Sequence, residues 1–271
     1  MKRAIAAVPK GGAAPDRMGE VAPQLRRGRR RLGIVTFSWE GDAPLVPLCL
    51  ESVRRLPRPE DLDVIHFVVD DGLHPMPPAD YGDAVYLATD YDRGGNQVGT
   101  ENLMGQTALY AELIRKWGLD LVYKLDPDTV ACGLGIADLP REYGLVGASR
   151  NPKSPWPWGT AALYRAEVLA EVGAAIGGRA VKRAMERVPE RARAEDMITG
   201  TIAVRALGYK VDIRPIDGPG GLQVFSEDSM EPDVRAFAIT CKGRRPGPEP
   251  EPARDVVARM RRAIDAVNSR R

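Results

Sequence analysis

In the stretch YKLDPDTVA, residues 123–131, an apolar run ends on two carboxylates, Asp126 and Asp128, on either side of Pro127. Two apart on extended backbone, they project to the same side. Pro127 fixes φ between them and removes a backbone donor. Like charges held that close repel unless a cation, a proton or water settles them. An acidic turn after a strand accounts for the same letters, so the rest of the chain has to decide. VVDDG, residues 68–72, puts a second pair, Asp70 and Asp71, at the end of another apolar run. Carboxylates there either close a turn or accept hydrogen bonds from a base or ribose. In RAEDMITG, Glu195 and Asp196 begin a helical pattern. They suit a helix N-terminus, and a carboxylate so placed is also what base-catalysed transfer to a hydroxyl requires. SPWPWGTAALY, residues 154–164, sets Trp156 and Trp158 among prolines before Gly159. Indole faces fill buried loops, and they also make flat walls for the apolar faces of sugars. His66, inside an apolar run, reads as a core histidine; His74 carries no assignment.

The elements that must position these groups alternate. RLGIVTF (31–37), DVIHFVV (63–69), AVYLAT (84–89), LDLVYKL (119–125), YGLVGAS (143–149) and YKVDIRP (209–215) read as short strands. APLVPLCLESVRRL (43–56), TENLMGQTALYAELIRKWG (100–118) and AEDMITGTIAVRALG (194–208) read as helices, the last two closed by Gly118 and Gly208. Strands alternating with helices predict an α/β fold with a mostly parallel central sheet and helices on both faces. Ligands of such sheets collect at the carboxyl ends of the strands. Thr36 to Ser38, Asp70 with Asp71, and Asp126 with Asp128 all fall at that edge. No GxGxxG follows the first strand and no GxxxxGK[ST] occurs, which removes the dinucleotide and P-loop readings.

With 271 residues and 44% hydrophobic content, the chain can bury one large core or two small ones. A net charge of +2 gives no reason to expect nucleic acid as a partner. Cys49, Cys132 and Cys241 lie far apart, which suggests a reducing compartment and no thiolate zinc site. No apolar stretch approaches the ~20 residues that span a bilayer, so a cytoplasmic protein is expected. Residues 1–31, closing in LRRGRRR, read as a basic flexible arm, a candidate for peripheral contact with an anionic membrane. The main domain is placed at 32–245. Residues 246–271 form a Pro-rich linker and an amphipathic helix whose stripe is Val256, Val257, Met260, Ile264 and Val267. That helix packs on the domain or on a second subunit.

The order of these pieces resembles a known family. Thr-Phe-Ser after the first strand, VVDDG, RGGNQVG before a helix, KLDPDTV, WGTAALY and AEDMITG follow one another as in the nucleotide-sugar glycosyltransferases of the GT-A fold. VVDDG and the later Glu-Asp look like glycosyltransferase family 2. YKLDPDTV, PWPWGTAALY and EDMITG are similar to the fringe and β-1,3-galactosyltransferase group. The likeness spans roughly residues 32–212.

The resemblance implies roles. Asp126 and Asp128 would hold Mn²⁺ or Mg²⁺, whose charge offsets that growing on a departing diphosphate. Asp70 and Asp71 would hold the nucleoside, with Thr36 beside them and Phe37 stacked on the base. Arg93, Lys124 and Lys242 would meet the nucleotide's charged groups. Asp196, or Glu195 next to it, would be the base in an inverting transfer, and Trp156, Trp158 and Gly159 would shape the acceptor side. The donor is then a UDP-sugar and the acceptor a glycan, a lipid-linked sugar or a small molecule. One departure stands out: no His follows residue 74 to act as a third metal ligand, leaving Asp217 or the cation Lys242 for that place. Two other readings use the same residues. A haloacid dehalogenase-like phosphatase would take Asp126 as nucleophile, Asp128 as acid and base, Lys182 as its lysine and Glu195-Asp196 as its late acidic pair. A nucleotide-sugar binder would need no base.

Overall fold

The nine residues RRLGIVTFS form strand β1 (Arg30–Ser38), in unbroken parallel register with β2 (Leu62–Asp70). The computed structural model describes residue 26 and residues 28–70, 74–89, 100–154, 156–186, 195–225, 231–241 and 253–270. Between β1 and β2 lies helix α1 (Val46–Arg54), with Pro47 in its first turn where no N–H is needed. β3 (Val85–Ala88) and α2 (Thr100–Trp117) follow, then β4 (Leu121–Leu125), β5 (Thr129–Ala131) and β6 (Tyr143–Ala148). The chain continues through β7 (Ala161–Arg165), α3 (Ala166–Ala175), α4 (Arg179–Met185) and α5 (Glu195–Thr201). It ends with β8 (Lys210–Arg214), β9 (Leu222–Val224), β10 (Ala238–Thr240) and α6 (Ala253–Ser269).

The main sheet has the order β3-β2-β1-β4-β7-β6-β8, and a second sheet has the order β5-β10-β9. β7 runs antiparallel to β4 and β6; the other main-sheet pairs are parallel. Strand alternation splits the core in two. Leu32 and Ile34 of β1 and Leu121, Tyr123 and Leu125 of β4 face α1, α6 and the small sheet. Val35, Phe37 and Val122 face α2, α3 and α5. The apolar stripe of α6 is covered by this chain itself, with Met260, Ala263 and Ile264 in the same cluster as α1 and β5. Among the described residues no helix is long and apolar enough to cross a membrane, and the three cysteines are free.

Several elements escape a reading by periodicity. Residues 161–165 of the Trp-Pro segment are β7, whose two alanines give no strand pattern. The strands at 129–131, 222–224 and 238–240 are three residues long, too short to show a period. The helix predicted over 194–208 is α-helical to Thr201 and then π-helical over Ile202–Ala206, with Leu207 N–H donating to the Ile202 carbonyl. Gly118 and Gly208, at φ +60° and +83°, adopt the left-handed conformation that ends their helices.

His66 is the core histidine that its setting predicts. Its Nε2 lies 2.8 Å from Thr36 Oγ1, and it borders a 90 Å³ cavity also lined by Arg54, Arg58 and Asp83. Burial first, and the Arg54 charge second, pull its pKa from 6.5 down to about 3. The unfolded chain therefore takes this proton first as pH falls. Stability should fall as pH drops below about 6.5, by on the order of 1 kcal/mol per pH unit, and His66→Leu should flatten that slope. Urea melts of both proteins from pH 7 to pH 4 check it; parallel slopes would assign the acid sensitivity to other groups.

Candidate active site

β4 leaves the sheet directly into the acidic pair. Asp126 and Asp128 do not lie on extended backbone: Thr129 N–H donates to the Asp126 carbonyl at 3.1 Å, closing a tight turn. Pro127 takes the position after Asp126, where its fixed φ suits a β-turn. The turn is pinned from several sides. Asp126 N–H donates to the Thr160 carbonyl at 2.8 Å, and Cys241 N–H donates to the Asp128 carbonyl at 2.9 Å. Arg259 on α6 donates through Nε to the Cys241 carbonyl at 2.8 Å. The C-terminal helix therefore supports the acidic turn through the residue that follows β10.

Lys124, on β4, projects to the side of the sheet that carries α2 and α5. Its Nζ donates to Asp126 Oδ1 at 2.7 Å and also to the Gly159 carbonyl. Gly159 N–H in turn donates to Asp196 Oδ2 at 2.8 Å, while Asp196 Oδ1 accepts from Met197 N–H at 2.8 Å. Two carboxylates distant in sequence thus join one hydrogen-bonded run at the carboxyl edge of the sheet. Both oxygens of Asp196 thus accept from backbone N–H groups, which fixes the carboxylate's orientation.

The donor set can be tested against a hard divalent cation. Among the described residues no three His, Cys, Asp or Glu side chains cluster as metal ligands. Asp217, a candidate third ligand, instead accepts from Val224 N–H at 2.8 Å beside β9. The two carboxylates of the turn fit a cation of the Mg²⁺ type, which takes one or two protein carboxylates and completes its shell with water and substrate phosphates.

No protein-family model matches the sequence, and no curated protein matches it. Solved structures do match in shape. The galactosyltransferase LgtC, solved with donor and acceptor sugar analogues, aligns over 88% of this chain and 95% of its own, at 11% identity and a TM-score of 0.51. The fold is that of a GT-A glycosyltransferase. A mannosyltransferase from Pyrobaculum calidifontis, in complex with GDP-Man and Mn²⁺, aligns at 18% identity and a TM-score of 0.45. That alignment covers 69% of this chain, which spans only 55% of the mannosyltransferase. A glycosyltransferase involved in glycosylation of the PBCV-1 major capsid aligns at 8% identity and a TM-score of 0.46, over 85% of this chain and 98% of its own.

Within this GT-A sheet, several residues expected at the ligand are buried in the protein. Thr36 is fully buried on His66, and Phe37, 3% exposed, packs edge-on against Tyr110. Both oxygens of Asp70 accept from Met76 N–H, at 3.0 and 3.1 Å, and Tyr86 Oη donates to the same carboxylate. Asp70 thereby holds the segment after β2 in place, and burial together with that carboxylate pushes the Tyr86 phenol pKa up. The indoles of Trp156 and Trp158 are each covered on one face by a guanidinium, Arg205 at 6.0 Å and Arg150 at 5.6 Å. Glu195 is the first residue of α5; Asp71, Arg93 and Lys242 lie outside the described residues. Lys182, the lysine a phosphatase would need beside Asp126, is exposed on α4.

Two further groups stand at this edge, of which Trp39 has no assignment from the sequence. Trp39, immediately after β1, is 41% exposed, with His74 edge-on to its ring at 6.4 Å. Ser38 Oγ is buried with no hydrogen-bond partner among the described residues. An aromatic one residue past a strand's carboxyl end was the available signal for Trp39.

Proposed function

We propose that the chain transfers a sugar from a nucleotide-diphosphate donor to an acceptor hydroxyl, with inversion at the anomeric carbon. The observation that carries this reading is the run Asp126–Lys124–Gly159–Asp196 at the carboxyl edge of a GT-A sheet. It joins an acidic turn suited to a donor diphosphate to a carboxylate suited to an acceptor. In the reaction, Asp196 takes the proton of the acceptor hydroxyl as that oxygen bonds the anomeric carbon. The bond to the diphosphate breaks, and its electron pair leaves with the nucleotide. Asp126 and Asp128 are the residues that would hold Mn²⁺ or Mg²⁺, which when bound supplies positive charge against the leaving diphosphate.

A UDP-sugar is the proposed donor and a glycan, lipid-linked sugar or small molecule the acceptor, in the cytoplasm. Arg93 and Lys242 are proposed for the phosphates, Asp71 for the nucleoside, and Trp156, Trp158 and Gly159 for the acceptor. With Phe37 buried, Trp39 is the better stacking wall for the base.

The test is a thermal-shift panel of nucleoside diphosphates with and without Mn²⁺. Metal-dependent stabilisation by at least one nucleotide is expected, because a ligand of the native state raises its melting temperature. No response to any nucleotide, together with turnover of small phosphomonoesters, would replace this reading by the phosphatase. In the same panel Trp39→Ala should weaken the best nucleotide by about fivefold or more, since base–aromatic stacking is worth roughly 1–3 kcal/mol. Wild-type affinity in that variant would remove Trp39 from the nucleoside site.

A further inference from the structure

A lysine in the central strand of a sheet needs a reason. Lys124 lies between Tyr123 and Leu125, both fully buried, and is itself 5% exposed. Burying an ammonium is costly unless it is paired and hydrogen-bonded. Its contacts supply both, through Asp126 Oδ1 at 2.7 Å and the Gly159 carbonyl. A carboxylate and a carbonyl oxygen are both acceptors and cannot bond each other; an ammonium with three donors can grip the two at once.

Gly159 is held on its other side as well. Its N–H donates to Asp196 Oδ2 at 2.8 Å, and a Cβ at this position would lie 2.8 Å from Asp196 Cβ and 3.1 Å from Cγ. Only glycine permits that approach without displacing Asp196. The peptide groups of Gly159 therefore connect the buried cation to the carboxylate at the start of α5.

We propose that Lys124 is a positioning residue that sets the Asp196 carboxylate relative to the acidic turn, acting through Gly159. Donor side and acceptor side then share one register, fixed by a cation that belongs to the protein. The roles of the two ends rest on the transfer reading above; the link between them is measured without it.

Lys124→Met keeps the apolar stem and removes the charge and its donors. With a donor that the wild type uses, kcat should fall about a hundredfold, the scale of a roughly 1 Å misplacement. Gly159→Ala attacks the link from its other end and should lower kcat to a similar degree, with donor KM within about threefold of wild type. The double variant should be no slower than the slower single one; losses that multiply would show two independent effects and overturn the proposal. Should the Met variant not fold, Gly159→Ala decides alone, and a wild-type kcat there overturns it.

A second readout needs no substrate. The Gly159 amide hydrogen is tied to Asp196, and Lys124→Met should speed its exchange with solvent by about tenfold or more. An unchanged exchange rate overturns the link, whatever the enzyme transfers. Faster exchange in a protein whose wild type transfers nothing would keep the link and retire the transfer reading.

Discussion

Replacing Asp196 with asparagine is expected to cut sugar transfer by ~10²–10⁴-fold while leaving the nucleotide–Mn²⁺ thermal shift in place. The amide keeps the size of the side chain and one carbonyl oxygen. That oxygen can still accept from Gly159 N–H, which donates to Asp196 Oδ2 at 2.8 Å, so the Gly159 side of the frame should survive while the bond from Met197 N–H to Oδ1 is lost. What the amide cannot do is take a proton from an acceptor hydroxyl. The proposed donor site is the acidic turn at residues 126–129, so donor binding has no reason to change. If Asp196 served only the start of α5, transfer would stay near normal and stability would drop by about 1 kcal/mol. Steady-state kinetics beside a thermal melt separates the two outcomes. Near-normal transfer would remove Asp196 as the base and make Glu195, the first residue of α5, the next candidate.

Asp126→Ala should do more damage, to both binding and folding. Asp126 is one of two carboxylates that would hold the metal, so metal-dependent stabilisation by nucleotide should vanish and transfer with it. The same change takes from Lys124 the carboxylate at 2.7 Å, and the lysine side chain is only 6% exposed. Removing one partner of a buried pair costs about 3 kcal/mol or more, and the 24% exposure of Asp126 places this case at the lower end. Asp126→Asn returns an oxygen to Lys124 without the charge, and should recover much of the stability but none of the metal response. Asp126→Ala,Lys124→Met removes both charges and should melt above the single alanine variant. Wild-type nucleotide and Mn²⁺ binding in Asp126→Ala would reduce the acidic turn to a structural one and withdraw the metal assignment.

How the fold divides between sequence and tertiary structure follows from the range of the forces involved. Local pattern suffices for β1, β2, β4, α1 and α2: the strands are short apolar runs buried on both faces, and the helices carry an apolar stripe at helical spacing. The same holds for the glycines that close α2 and the π-helical segment, because positive φ is a property of one residue. The acidic turn was also recognisable, although its shape was not. Proline favours a turn as readily as extended backbone, and the choice falls to the Thr129 and Cys241 amides that donate to its carbonyls.

What only the folded chain decided is which groups at the carboxyl edge are engaged by other parts of the protein. Thr36, Phe37 and Asp70 lie at the carboxyl edge as the strand pattern predicts, yet partners from elsewhere in the chain, His66, Tyr110, Met76 and Tyr86, engage them. Lys124 has the composition of a phosphate ligand, but its neighbours across the sheet turn it to Asp126 and Gly159. Gly159 and Asp196 are 37 residues apart, and nothing in either segment announces that an amide of one meets the carboxylate of the other. Spacing along a chain records which residues can share a face; it does not record which distant groups complete their hydrogen bonds there. Those pairings form only when the sheet is assembled, because burial then makes each unpaired donor or acceptor costly.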